Sequence, residues 1–148
     1  MARMLCVWSP LWPIVTWRRK RTPGRDASPA EPHPSPFMLI ETVAGVRRLY
    51  AVDEAAAGLG LFVGQKAADA LALVPELFSD EADPAGDAAA LEALCDWTVR
   101  FSPAVAVCAP DSLFLDIEGV SHLWSGEDAL LDDLVMRLDR DGVPVRAA

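Results

Sequence analysis

The sequence predicts an α+β fold with a mostly antiparallel sheet, and three observations carry that expectation. Two pairs of short apolar segments, 37–52 and 104–118, are each interrupted by a turn signal, Val43-Ala44-Gly45 in the first and Pro110-Asp111 in the second. That is the pattern of an antiparallel hairpin. Two longer stretches, about 85–101 and 126–138, repeat apolar residues at helical spacing. Hairpins interleaved with helices, rather than strict alternation of strand and helix, point to α+β and not to a parallel α/β sheet.

Met4–Trp8 opens the chain as a short apolar strand closed by Ser9-Pro10. The segment after it, up to Trp17, is apolar and contains Pro13, and it reads as a short apolar segment packed on the core. Residues 19–36 hold five prolines and almost no apolar residue, which is the composition of a loop or linker. His33 stands between two of those prolines, where a solvent-exposed role is expected.

Phe37–Glu41 and Val46–Val52 form the first hairpin. Asp53 is placed to cap a short Ala-rich helix, Glu54–Ala57, ended by Gly58 or Gly60. Leu61–Gly64 connects it to a second short helix, Gln65–Leu73, stopped by Pro75, with Ala67, Ala68, Leu71 and Ala72 on one face. Asp83-Pro84 starts a longer helix whose Leu91, Leu94, Thr98 and Phe101 make one buried stripe. Ala104–Ala109 reads as a core strand and Ser112–Glu118 as its partner, with Leu113, Leu115 and Ile117 turned inward. Gly126-Glu127 opens a last helix with Leu130, Leu131, Leu134, Val135 and Leu138 on its buried side. Gly142 closes it, and Val143–Ala148 begins another strand. A chain that stops inside a strand reads as the front of a longer protein.

Of the 148 residues, 52% are apolar and 24% charged, a globular balance that excludes wholesale disorder. Cys6, Cys95 and Cys108 stand far apart with no CxxC pair, so they read as reduced core thiols of a cytoplasmic protein. The apolar run Met4–Trp17 would span about 21 Å as a helix, short of a bilayer core of about 30 Å, so no membrane partner is expected. Residues 1–48 carry eight Lys/Arg against three Asp/Glu, a net +5, and the remainder a net −14. An acidic body of this kind is not a generic phosphate-backbone binder. The cationic group Arg18, Arg19, Lys20, Arg21 and Arg25 is where phosphate contacts are expected, with a solvated loop as the plainer alternative. Trp8, Trp12 and Trp17 read as packing residues in preference to base-stacking ones.

No segment has the context of a phosphate-binding glycine loop; Gly58–Gly64 lacks both the preceding strand and the Lys that would give it meaning. No His/Cys group has metal spacing. No Ser/His/Asp triad can be assembled, and His122 reads as packed or hydrogen-bonded beside Trp124. Asp111 and Asp116 are five apart, and an odd offset along a strand puts side chains on opposite faces. They make a poor pair for one metal, and two-metal phosphoryl transfer needs several converging carboxylates.

Taken together, PFMLIETVAGVRRLYAVDEAAAGLGLFVGQKAADALALVPEL and RFSPAVAVCAPDSLFLDIEGVSHLWSGEDALL resemble the amino-terminal part of the Y-family translesion DNA polymerases, and within them the bacterial ImuB-type branch. The likeness runs over nearly the whole chain. DSLFLDIEG followed by HLW is similar to the family's palm hairpin, and LGLFVGQ with the apolar residues after it to its fingers segment. The resemblance implies a palm-like sheet with packed helices and a small helical fingers insertion. It divides the chain into 1–18, a first palm strand and the segment after it; 19–36, a basic Pro-rich linker; 37–80, fingers-like; and 81–148, palm-like and incomplete at its end.

In active members the first strand carries an acidic pair that holds metals; here that stretch is Val7-Trp8-Ser9-Pro10. Their palm hairpin carries Asp-Glu, where this chain has Asp111-Ser112, so Asp111 is the one active-site acid position retained. Their fingers use a Tyr and an Arg to grip the incoming triphosphate, and Glu54 and Ala57 align there. A carboxylate facing a triphosphate repels it.

The resemblance therefore implies a non-catalytic member needing no cofactor, acting in DNA repair and damage-induced mutagenesis. It would be an accessory scaffold linking an error-prone DNA polymerase and an accessory mutagenesis protein to the sliding clamp. Beside the cationic group, the resemblance implies DNA contacts through C-terminal regions missing from this chain. The alternatives are an active Mg-dependent nucleotidyltransferase using Asp111 and Asp116, and an unrelated α+β interaction domain.

Overall fold

The computed structural model describes residues 3–21 and 35–148. The chain divides into two compact units, Met1–Val15 with Ala85–Ala148, and Thr16–Pro84.

The first unit is built on β1 (Met4–Trp8), β5 (Val105–Cys108), β6 (Ser112–Asp116) and β7 (Arg146–Ala147), in the order β5-β6-β1-β7. Every pairing in it is antiparallel, and β1 lies at its centre. Strand alternation turns Leu5, Val7, Leu113 and Leu115 to one face, and Ile117 continues the row. Against that face pack Leu91 and Leu94 of α4 (Pro84–Thr98) and Leu130, Leu134 and Leu138 of α5 (Glu127–Arg140). The expected stripe on the first of these helices is buried at all four positions, Leu91, Leu94, Thr98 and Phe101. Phe101 continues into an aromatic stack, 4.8 Å from Trp124, which ends a 3-10 turn at Ser121–Trp124.

The last helix keeps Glu127 and Asp128 in its first turn and Arg137 and Arg140 in its last, the distribution the helix dipole favours. It starts at Gly126, whose φ of 114° suits only glycine, and stops at Gly142 with φ of 81°.

The second unit contains β2 (Phe37–Val43), β3 (Val46–Val52) and β4 (Phe78–Glu81), in the order β3-β2-β4, with α2 (Glu54–Gly58) and α3 (Ala67–Leu73). The turn between β2 and β3 holds Ala44 and Gly45 at φ of 51° and 78°, the left-handed pair that a two-residue hairpin loop demands. The central strand β2 is covered on both sides, which is why Phe37–Ile40 is continuously apolar rather than alternating. Met38 and Ile40 join Leu49, Ala56, Leu61, Ala67 and Ala70 in one core, while Phe37 faces Trp17 at 4.4 Å and Phe78 at 5.6 Å.

Several expectations need correction. The apolar segment after the first strand is a helix, α1 (Trp12–Arg21), and residues 19–21 continue it where a linker was expected. Pro13 is tolerated because it lies in the first turn, where no backbone donor has an intrahelical partner. The strand β4 was not foreseen; it pairs with β2 in parallel register, Phe37 opposite Phe78. Its residues Phe78-Ser79-Asp80-Glu81 show no apolar alternation, so nothing local announces a strand. The strand at 105–108 is an edge strand with exposed Ala106 and Cys108, not a core strand. On α3 the buried face is Ala67 and Ala70, continued by Val74, while Ala68, Leu71 and Ala72 are exposed. A short helix apolar nearly all round does not declare its inner face. No helix among the described residues is long and apolar enough to cross a membrane.

Candidate functional site

The place where chemistry would be expected is the end of the first unit's sheet at which β1 and β6 finish side by side. In their ladder Trp8 stands opposite Ser112 and Val7 opposite Leu113. One step further, the Ser9 amide donates to the Asp111 carbonyl at 3.0 Å. The Ser9 hydroxyl donates to the Pro144 carbonyl at 3.3 Å, and the Ser112 hydroxyl donates to Asp111 Oδ1 at 2.9 Å. Asp111 is half-buried at the turn before β6. The residues that the ladder and these bonds bring to Asp111 are Trp8, Ser9 and Ser112, none of them an acid.

Asp116 does not supply it. It pairs with Met4 at the other end of the ladder, five residues from Asp111, or about 17 Å of extended strand. Its Oδ1 accepts from the amide of Glu118 at 3.0 Å. Distance along the strand, more than the opposition of faces, separates the two aspartates. Among the described residues no group of three or more His, Cys, Asp or Glu side chains converges as a metal site needs. A single half-buried carboxylate already holding a serine hydroxyl does not fit the paired magnesium ions of phosphoryl transfer.

In the second unit Asp53 does what its position before the Ala-rich helix predicts. It is 3% exposed, and its Oδ1 accepts from the amides of Ala56 at 2.8 Å and Phe37 at 3.1 Å. Its Oδ2 takes the Ser35 hydroxyl at 2.7 Å. It is a structural bolt between the helix start and the first residue of β2. Glu54 and Ala57, aligned with the triphosphate grip, are both exposed on α2. Neither offers a donor to an anion.

The basic run forms the C-terminal end of α1, a position that cations favour. Arg18 is half-buried, and Arg19, Lys20 and Arg21 are exposed. Lys20 pairs with Asp83 at 2.9 Å and Arg21 with Asp80 at 2.5 Å. Trp17 anchors this end: its indole N–H donates to Asp80 Oδ2 at 2.7 Å, and the Arg21 guanidinium lies 4.0 Å over its ring. The indole hydrogen bond, then the bond from the Glu81 amide and the charge of Arg21, hold the Asp80 carboxyl below the ordinary aspartate range. Arg25 and His33 lie outside the described residues. Asp80 and Asp83 were missed as partners because the strand that carries Asp80 was itself missed.

Of the tryptophans, Trp12 and Trp17 are buried, and Trp12 donates its indole N–H to the Asp87 carbonyl at 2.9 Å. Packing, not base stacking, is their role. His122 is exposed on the 3-10 turn instead of packed beside Trp124. The three cysteines are free thiols, but only Cys95 is buried; Cys6 is half-buried and Cys108 exposed, so the expectation of three core thiols is corrected.

No protein-family model matches the chain. Over 90 residues, 61% of the chain, it is 70% identical to Protein ImuB of Caulobacter vibrioides, in each of two strains. That stretch spans 20% of those relatives' length. Among solved structures it is similar to a post-insertion binary complex of Dbh DNA polymerase, with a TM-score of 0.74 at 12% identity, covering 100% of this chain and 41% of that one. It is also similar to DinB from Sulfolobus solfataricus, with a TM-score of 0.71 at 11% identity, covering 99% of this chain and 41% of that one. The fold is that of the Y-family polymerase palm and fingers region, and the likeness to the ImuB-type branch stands at the level of sequence.

Proposed function

We propose that the chain is the palm and fingers part of a non-catalytic, polymerase-like protein of the ImuB type, acting as an accessory scaffold in DNA repair and damage-induced mutagenesis in the cytoplasm. The observation that supports this most directly is the end of the β1–β6 ladder. In this reading Trp8, Ser9 and Ser112, which meet Asp111 there, take the place of the carboxylates an active polymerase of this kind would gather, and of the four only Asp111 is an acid. Positioning and electrostatic stabilisation make up nearly all of phosphoryl-transfer catalysis, so losing the metal ligands removes the activity. The fold survives the loss because its core needs only Leu113, Leu115 and the leucines of the two long helices.

In this reading the work lies in contacts: with an error-prone DNA polymerase, an accessory mutagenesis protein, a sliding clamp and DNA.

The test is primer extension by the protein in its full length, with dNTPs and either Mg²⁺ or Mn²⁺. No extension is expected. Metal-dependent incorporation that disappears in Asp111→Ala would replace this reading with that of an active nucleotidyltransferase.

A further inference from the structure

The basic end of α1 is already arranged as an anion receptor, and the anion in it is the chain's own. Two donors of different kinds, the Trp17 indole N–H and the Arg21 guanidinium, converge on one oxygen, Asp80 Oδ2. Stacking on the Trp17 ring presents Arg21 in a fixed place, so little of its freedom remains to be lost on binding. One residue away Lys20 holds Asp83, and Arg19 is exposed with no ion pair among the described residues. The pairs are open to water: Lys20 and Arg21 each keep 50% of their side-chain surface exposed, and Asp83 keeps 58%. Exposed ion pairs of this kind are weak and exchange partners readily.

We propose that this end of α1 is a phosphodiester-binding site for DNA in which Asp80 and Asp83 hold the ligand's place. The idea rests on the reading above, in which the protein meets DNA. When a DNA backbone arrives, Lys20 and Arg21 turn from their carboxylates to phosphate oxygens, and Arg19 adds a third cation. Asp80 stays on β4, held by the Trp17 indole and the Glu81 amide. The exchange therefore needs side-chain movement only. The two carboxylates make the site selective. A lone phosphate cannot outbid them, while a polyanion that engages several cations at once and releases its counterions can. This accounts for a basic cluster kept on a chain whose net charge is −9.

The test is the affinity of the 148-residue chain for a labelled DNA duplex, measured against salt. In Asp80→Asn/Asp83→Asn the affinity at low salt should rise about fivefold, and the plot of log affinity against log salt should steepen by about 0.9 for each cation released. Adding Lys20→Gln/Arg21→Gln should return both to wild type or below. Asp128→Asn/Asp132→Asn, on the exposed side of α5, changes net charge equally and should leave both unchanged.

An equal rise in that control would make the effect one of bulk charge and overturn the proposal. So would unchanged affinity in Asp80→Asn/Asp83→Asn, or no binding by any variant. Asn at position 80 can still accept the indole hydrogen, but should that variant fold poorly, Asp83→Asn alone must steepen the slope through Lys20. The outcome is independent of primer extension: a chain that extends primers can still have this site, and an inert one can lack it.

Discussion

Ser9 donates its backbone N–H to the carbonyl of Asp111 across 3.0 Å, one step beyond the pair in which Trp8 faces Ser112. The bond fixes which residues meet at the end of the sheet. Any carboxylate placed at Trp8 or Ser112 would stand beside Asp111, because the register is held by five consecutive β1–β6 pairs with the Leu and Val side chains between them locked in the core.

The register makes metal binding a property that two substitutions should restore. Directly opposed strand residues have Cβ atoms about 5 Å apart, within reach of one ion. Trp8→Asp/Ser112→Glu is expected to lower the melting temperature without metal, since three acids then repel one another. Millimolar Mn²⁺ should raise it again by mass action. The unaltered chain should show no Mn²⁺-dependent shift in the same thermal melts.

Asp53→Ala should be among the costliest single changes at a polar residue. It removes the α2 cap and leaves the Phe37 amide without its acceptor beside the fully buried Phe37 ring. A lost cap and a buried donor left unpaired together come to about 3 kcal/mol. Asp53→Asn keeps an acceptor oxygen and should cost less than half as much. Urea unfolding of both variants checks the ratio.

The two faces of α5 separate cleanly. Leu134 is fully buried and Met136 is 62% exposed, two positions further along the same helix. Leu134→Ala should destabilise by about 3 kcal/mol through lost burial and a residual cavity. Met136→Ala should stay within about 0.5 kcal/mol. Equal effects in chemical denaturation would mean the helix is rotated from the orientation described.

Acid should reach Asp80 late. Its carboxyl is held down by the Trp17 indole, the Glu81 amide and Arg21, so its folded-state titration lies below the ordinary value of 3.8. A depressed carboxyl contributes stability above its unfolded value, and that contribution is lost as pH falls through the folded one. Trp17 fluorescence, taken as the difference between wild type and Asp80→Asn, should therefore change at a pH below 3.8. A midpoint above that value would show that the indole hydrogen bond does not hold in solution.

The strands at 4–8 and 46–52, the leucine stripe of the last helix and the Asp53 cap were legible because each is written in local pattern: alternation, helical period, a capping residue before an Ala run. So was the lack of an acid in the stretch Val7–Pro10, since a residue type that is missing there is missing in every fold. Less was legible where neighbours decide. β4 is acidic and largely exposed, and becomes a strand only because β2 offers it a parallel edge. The basic run of α1 reads as a lone cationic patch until β4 brings Asp80 beneath Trp17 and Arg21.

The amino-acid order by itself determined which segments could be helix or strand, which faces would be apolar, and that a serine, not an acid, follows Asp111. Tertiary structure alone decided that Asp111 and Asp116 lie at opposite ends of a ladder, and that the cations of α1 already hold carboxylates. The physical reason is range: propensity and periodicity act over a few residues, whereas a charge is answered by whatever the folded chain brings within a few ångströms, here from some sixty positions away.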